Sequence, residues 1–137
     1  NYRGCDWHPF ESGTLFEINM QLKYLCTFWG SETLNATDFL NKVLEEGYDG
    51  VEINFPDDPV FIEAFLKRIE EIRSTSHPDF VFIAQQVLDP RQETVAQYQE
   101  RLLKRLEFLI GLQPDAINSH TGKDFFDFSS RLTPYAW

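Results

Sequence analysis

The sequence predicts an α/β protein built on a parallel β-sheet. Short apolar segments typical of strands alternate with longer segments in which apolar residues recur every three to four positions, as in amphipathic helices. The strands start roughly thirty residues apart, which is the length of one strand–helix–strand unit. Glycine and proline stand at the junctions between segments. Alternation of this kind places helices outside a parallel sheet.

The first strand and helix are predicted between residues 22 and 47. The aromatic-rich segment 22–29 (LKYLCTFW) indicates a strand that ends at Gly30. Asn35 and Thr37 are both candidate N-caps for the helix that follows. Gly47 supplies the left-handed conformation that ends this helix.

The second strand, residues 50–54, belongs to the segment GYDGVEINFP. Strand alternation places Val51 and Ile53 on one face and Glu52 and Asn54 on the other. An acid and an amide on the inner face of a parallel strand point either at the core or at a site. The sequence therefore makes this strand the first place to look for function.

The next helix and strand carry clear start and end signals. Asp58 caps the helix, and Pro59 suits its first position because no N–H is needed there. Residues 80–84 (FVFIA) predict a third strand that is apolar on both faces, as expected for a strand buried between layers. This strand runs into Gln85 and Gln86.

The longest helix is predicted over residues 93–110, closed by Gly111 and Pro114. A fourth strand follows over residues 115–120 (DAINSH). Two closures of such a chain remain open, an eight-stranded barrel and an open doubly wound sheet. The first strand is followed by no glycine-rich phosphate loop, which disfavours dinucleotide binding.

Composition limits the classes of function. The chain has 137 residues, 42% of them apolar, and a formal net charge of -10. An acidic protein is a poor partner for nucleic acid, and no apolar run approaches the roughly 20 residues of a membrane span. Cys5 and Cys26 do not form a disulfide framework, and Cys5 with His8 lacks the second pair of a zinc site. A reducing cytoplasm is the predicted location.

Two segments carry a resemblance to a known family. Residues 47–55 (GYDGVEINF) and 117–126 (INSHTGKDFF) resemble the xylose-isomerase-like TIM-barrel superfamily, in particular its sugar-phosphate isomerase/epimerase branch. The resemblance implies that residues 20–128 form the N-terminal half of a (β/α)8 barrel, with about four parallel strands and three intervening helices. Residues 1–19 are then an extension or an edge element, and residues 129–137 an irregular tail.

The resemblance also implies a chemistry. Such proteins move a proton between adjacent sugar carbons at the carboxyl ends of the strands, often with a divalent metal (Mn, Mg, Zn or Co). The usual metal ligands lie on later strands than this chain contains, so its metal ligands are unknown. Glu52 and His120 are the expected catalytic residues. The expected substrate-binding residues are Trp29, Asn54, Gln86, Asn118 and Lys123.

Each of these residues also has a structural interpretation. Glu52 is either a catalytic carboxylate or one satisfied by a neighbouring cation or backbone amide. His120 is either a pocket residue or a hydrogen-bonded structural histidine. Trp29 forms a wall for a sugar ring or part of the core, Gln86 binds hydroxyls or only closes its strand, and Lys123 meets a phosphate or solvent.

Three functions follow. The first is a metal-dependent sugar or sugar-phosphate isomerase/epimerase that acts through an enediolate and is incomplete in this chain. The second is a catalytically inactive half-barrel module that assembles with another chain, either a second copy or a complementing one. The third is the apurinic endonuclease branch of the superfamily, which uses several zinc ions and many histidines, whereas this acidic chain has three histidines.

Overall fold

A computed structural model of the protein describes residues 20 to 120. The predictions for residues 1–19 and 129–137, and the proposed role of Lys123, lie outside these described residues.

The described residues form a four-stranded parallel sheet with three helices between the strands, which confirms the predicted α/β class. The strands lie in the order β1-β2-β3-β4, each paired in parallel with the next. The strands are β1 (Leu25–Thr27), β2 (Gly50–Ile53), β3 (Val81–Gln86) and β4 (Ala116–Ser119). The helices are α1 (Ala36–Glu45), α2 (Pro59–Thr75) and α3 (Val95–Gly111).

All four strands differ in length from the prediction. The second ends at Ile53 rather than residue 54, and the fourth spans Ala116–Ser119 rather than residues 115–120. The first strand begins at Leu25 rather than residue 22, because its pairing with β2 starts where Tyr24 and Asp49 exchange hydrogen bonds. The third strand extends through both glutamines, because Gln85 and Gln86 pair with β4. Strand ends are thus set by the neighbouring strand, which local sequence does not reveal.

All three helices pack on the same face of the sheet. On that face Val51, Ile53, Phe82 and Ala84 are fully or almost fully buried and belong to one core with apolar residues of each helix. The opposite face is not covered by the described helices. A doubly wound sheet, one of the two expected closures, has helices on both faces. In the described part of the chain, the helices lie on one face of the sheet.

The helix starts follow capping chemistry. Of the two candidate caps for α1, Asn35 is the N-cap, and its side chain accepts a hydrogen bond from the Asp38 amide at 2.9 Å. Asp58 caps α2 as predicted. The cap of α3 is Thr94, which forms a capping box with Gln97 and so starts the helix two residues later than expected.

The end of α3 corrects the prediction that Gly111 closes it. Gly111 is the last helical residue, and the left-handed position is taken by Gln113 with φ 55°. At the end of α1 the equivalent residue is Gly47, with φ 78°, as predicted. Both amides donate to the carbonyl three residues earlier, at 3.1 Å for Gly47 and 3.0 Å for Gln113. The two turns therefore have the same geometry with different residues.

Each of these turns leads into an aspartate that forms two hydrogen bonds with the backbone of the preceding strand. The Asp49 amide donates to the Tyr24 carbonyl at 2.8 Å, and the Tyr24 amide returns a bond to the Asp49 carboxylate at 2.8 Å. Asp115 makes the same pair of bonds with Phe82, at 2.8 and 2.7 Å. The same local structure thus connects helix to strand in the unit β1–α1–β2 and in the unit β3–α3–β4.

Candidate binding face at the carboxyl ends of the strands

The uncovered face of the sheet changes character along the strands. Register places Leu25, Gly50 and Val81 in one row near the amino ends. Towards the carboxyl ends the side chains on this face become polar, and they are exposed or half-buried. These polar residues are Thr27, Glu52, Gln85 and Asn118. We call this set the open polar face.

Glu52 and Asn118 are brought together on the open polar face. The Asn118 amide Nδ2 donates to the Glu52 carboxylate Oε1 at 2.8 Å. Glu52 lies in register with Ile83, and Asn118 lies in register with Gln85, two residues further along β3. Glu52 forms no ion pair with any residue between 20 and 120. The structural alternative from the sequence was a carboxylate satisfied by a neighbouring cation or backbone amide. Within residues 20–120 its hydrogen-bond partner is instead the side-chain amide of Asn118.

Trp29 stands at the carboxyl end of β1 and is joined to the same face. Its side chain is 64% exposed, and its indole Nε1 donates to Gln85 Oε1 at 3.1 Å. Within residues 20–120, Trp29 is therefore not part of the buried core. An exposed indole held by a hydrogen bond offers a fixed apolar surface beside polar groups.

The side chain of Asn54 is hydrogen-bonded to Arg105, a residue of α3. Its Oδ1 accepts a bond from Arg105 Nη2 at 3.4 Å, and the same nitrogen donates to the Phe55 carbonyl at 3.1 Å. Burial lowers the pKa of the Arg105 guanidinium, while the charge of Asp57 acts in the opposite direction. Because β2 ends at Ile53, strand alternation does not extend to Asn54.

A cleft of about 1000 Å³ lies beside Trp29, between the loop after β1 and the loop after β2. Its wall combines apolar side chains such as Phe28 and Phe61 with the carboxylates Glu32 and Asp58, and it includes Asn54. The pKa of the Glu32 carboxyl is lowered by hydrogen bonds from its own amide and from that of Gly30. The cleft opens at the carboxyl ends of β1 and β2, next to the open polar face.

Gln86 does not reach the open polar face. Its side chain is fully buried on the helix-covered side, where its Oε1 accepts from Ser119 Oγ at 2.8 Å. Gln85 occupies the position expected of Gln86. Local sequence does not distinguish the two glutamines, because the strand before them is apolar on both faces.

His120 is the first residue after β4, and its side chain is exposed. Its amide donates to the Gln86 carbonyl at 3.2 Å, and its carbonyl accepts from the Tyr98 hydroxyl at 3.1 Å. The contact with Tyr98 connects the end of β4 to the first turn of α3. Tyr98 was not predicted from the sequence as a residue of the site, because a tyrosine on the apolar stripe of a helix is typical of a core position.

The described residues do not fit a metal site. Between residues 20 and 120, no group of three or more histidine, cysteine, aspartate or glutamate side chains could hold a metal ion. Zinc sites bring three or four such ligands together, whereas magnesium is often held by one or two carboxylates and water.

Comparisons with models of protein families, with the sequences of curated proteins and with solved structures each gave no match to this chain. Among the described helices, none has the length and apolar character needed to cross a bilayer.

Proposed function

We propose that this chain forms half of a (β/α)8 barrel whose open polar face is one side of a sugar-binding site. Three features support the barrel: the strands are parallel, they follow chain order, and the described helices pack on a single face. In a barrel the helix-free face becomes the interior, and the functional groups lie at the carboxyl ends of the strands. The polar residues of the open face lie at those ends.

The observation that carries the proposal is the hydrogen bond between Asn118 and Glu52. Their strands are separated by β3, so their backbones are two strand spacings, roughly 9 to 10 Å, apart across the sheet. On a flat sheet, side chains stand roughly perpendicular to the sheet, so a bond over an intervening strand requires both side chains to lean towards each other. Convergence is favoured where that face is concave, as the inside of a barrel is.

The open polar face has the groups that sugar hydroxyls require. The amides of Asn118 and Gln85 each provide donors and an acceptor, and the Glu52 carboxylate accepts hydroxyl protons. The exposed indole of Trp29 gives an apolar wall against which the C–H face of a sugar ring packs. An apolar wall with a few converging polar groups is the usual composition of a small-molecule site.

The proposed reaction is proton transfer between adjacent sugar carbons. A base removes the proton from the carbon next to the carbonyl, and the electron pair forms an enediolate. The proton returns to the neighbouring carbon, while the hydroxyl proton moves from one of the two sugar oxygens to the other. Glu52 Oε1 already accepts from Asn118, and its Oε2 has no hydrogen-bond donor within residues 20–120, so we assign the base to Glu52. His120 donates a proton or hydrogen bond to the sugar oxygen on which charge develops.

The divalent metal stays a prediction from the resemblance, and its ligands would come from outside residues 20–120. The predicted cytoplasmic location rests on cysteine usage, and Cys26 is a free thiol.

A second function is favoured by the apolar surface at both flanks of the sheet. Met20, Leu22 and Tyr24 are exposed on the β1 side. On α3, Ile110 is 63% exposed, and Leu103 and Phe108 are partly exposed. In a closed barrel, neighbouring strand–helix units would cover such surface. If those units belong to another polypeptide, the chain is an inactive half-barrel module that assembles with a second copy or a complementing chain.

Sugar binding by the complete gene product tests the first function. Saturation-transfer NMR with a panel of aldoses, ketoses and their phosphates should give signals that are much weaker in Glu52→Ala and retained in Glu63→Ala, a control on the exposed side of α2. Equal signals in wild type and Glu52→Ala, or none in wild type, would contradict the proposal. Light scattering addresses the second function, which requires a stable assembly that binds no sugar.

A further inference from the structure

We infer that Tyr98 is a positioning residue that fixes His120 at the carboxyl end of β4. The inference rests on the proposed function in so far as it assigns His120 a role with substrate. Its physical content is a claim about how the backbone that carries one exposed imidazole is held, which is measured without any sugar.

His120 is held through both of its backbone groups although it lies beyond the strand. Backbone N–H and C=O groups need hydrogen-bond partners, and a residue just past a strand end finds them in the neighbouring strand, in a side chain or in water. Here the N–H donates to the Gln86 carbonyl, and the C=O accepts from the Tyr98 hydroxyl. Both partners are buried, since Gln86 is 0% and Tyr98 is 2% exposed. Water therefore does not readily compete for these bonds.

The Tyr98 hydroxyl is itself placed by a rigid element. Tyr98 lies in the first turn of α3, directly after the capping box of Thr94 and Gln97. Its ring packs with Leu102 in a small apolar cluster separate from the main core. A phenylalanine would fill the same space. The hydroxyl is needed for hydrogen bonding, and its described acceptor is the His120 carbonyl.

The buried amide of Gln86 adds a second polar support beneath His120. Its Oε1 is bonded to the hydroxyl of Ser119, the neighbour of His120, while its Nε2 has no partner within residues 20–120. A buried donor without an acceptor is costly to fold stability. A leucine of similar size would avoid this cost. Buried polar groups fix one arrangement of the chain around them, and here they surround the end of β4.

Such support matters for proton transfer. A group that donates to a developing charge must be held within a fraction of an ångström of its productive position. Side chains on loops lack that restraint unless the backbone below them is fixed. Tyr98 supplies it by tying the loop end of β4 to the start of α3.

The test compares Tyr98→Phe with Tyr48→Phe by NMR of the complete gene product. Tyr48 is half-buried, and its hydroxyl makes no hydrogen bond within the described part of the chain. In Tyr98→Phe, the His120 imidazole resonances should move, and the His120 amide should exchange with solvent about five- to tenfold faster, the effect of one lost hydrogen bond. The imidazole of His77, on the exposed turn after α2, should keep its resonances. Tyr48→Phe should leave both histidines unchanged.

Unchanged His120 signals in Tyr98→Phe would overturn the inference, and so would equal changes at His120, His77 and the β2 amides, which indicate general destabilisation. If Tyr98→Phe fails to fold, Ser119→Ala decides, because it removes the hydroxyl bonded to Gln86 with little change in volume. It should also shift His120 alone. Loss of sugar binding plays no part in this readout, so the inference and the proposed function fail separately.

Discussion

Glu52 and Asn118 occupy equivalent positions in two copies of the same local structure, and their side chains bind each other. Each is the third residue after an aspartate that grips the preceding strand, Asp49 before β2 and Asp115 before β4. The hydrogen bond between them, 2.8 Å long, passes over β3. The candidate site is thus built where two similar strand–helix–strand units meet.

Asn118→Asp tests the closeness of this pair. It places a second carboxylate beside Glu52, and like charges a few ångströms apart repel. We expect the variant to lose about 1–2 kcal/mol of unfolding free energy at pH 7 and to recover most of it near pH 3, where the carboxylates are protonated. Asn54→Asp is the matched control, because its new carboxylate faces Arg105 and gains attraction. Urea unfolding at both pH values measures the effect, and equal losses in the two variants would contradict the geometry.

Gln113→Gly tests the left-handed turn after α3. Non-glycine residues pay roughly 1 kcal/mol for a positive φ, so the variant should gain about that much stability. Gly47→Ala, at the equivalent turn after α1, should lose a similar amount. Gly111→Ala is the control, because Gly111 is helical and a Cβ there meets no atom within 4 Å, so the substitution should be neutral or stabilising. Chemical denaturation of all three variants checks the signs.

A comparison of Asp115 with Asp49 isolates the contribution of an ion pair, because both aspartates bind a backbone amide and Asp115 also pairs with a cation. Both carboxylates accept a strand amide, but Asp115 Oδ2 also lies 2.6 Å from Arg73 Nη2. Replacing either by asparagine keeps an acceptor and removes the charge. We expect Asp115→Asn to cost about 0.5–1 kcal/mol more than Asp49→Asn, a modest value because Arg73 and Asp115 are partly exposed. The difference should shrink in 1 M salt, and a difference that salt does not alter would contradict the ion-pair assignment.

Cys26 should be a slow nucleophile. Burial raises the pKa of its thiol, the charge of Glu46 raises it further, and Lys42 opposes both. At pH 8 the thiolate is therefore scarcer than in a free cysteine, and its population rises only at higher pH. In a Cys5→Ser background, alkylation by iodoacetamide at pH 8 should be slower than for a model thiol. Glu46→Gln should speed the reaction and Lys42→Ala should slow it. The reverse order would contradict the assigned causes.

The order and type of the elements were predictable because each signal is local. Apolar periodicity, the Asp58-Pro59 start and the Gly47 stop each act over a few residues. The face of Glu52 was also predictable, because its neighbours Val51 and Ile53 are apolar and fix the alternation.

The remaining parts of the candidate site depend on contacts between distant residues. Which of Gln85 and Gln86 lies on the open polar face could not be predicted, because the strand before them is apolar on both faces. Pairing with β4 decides it. Asn54 lies past the end of its strand, and its side chain accepts a hydrogen bond from Arg105, 51 residues away. The bond from Tyr98 to His120 joins a helix start to a strand end, which no local pattern indicates.

Solvent-deuterium incorporation into a sugar tests the central claim most directly. A sugar that binds the complete gene product is incubated in deuterium oxide with added divalent metal, and NMR follows the C–H bond next to its carbonyl. The account predicts exchange at that carbon in wild type and in Glu63→Gln, and at least a hundredfold less in Glu52→Gln, because general-base catalysis contributes roughly 10²–10⁴-fold. Exchange at the wild-type rate in Glu52→Gln would contradict the account.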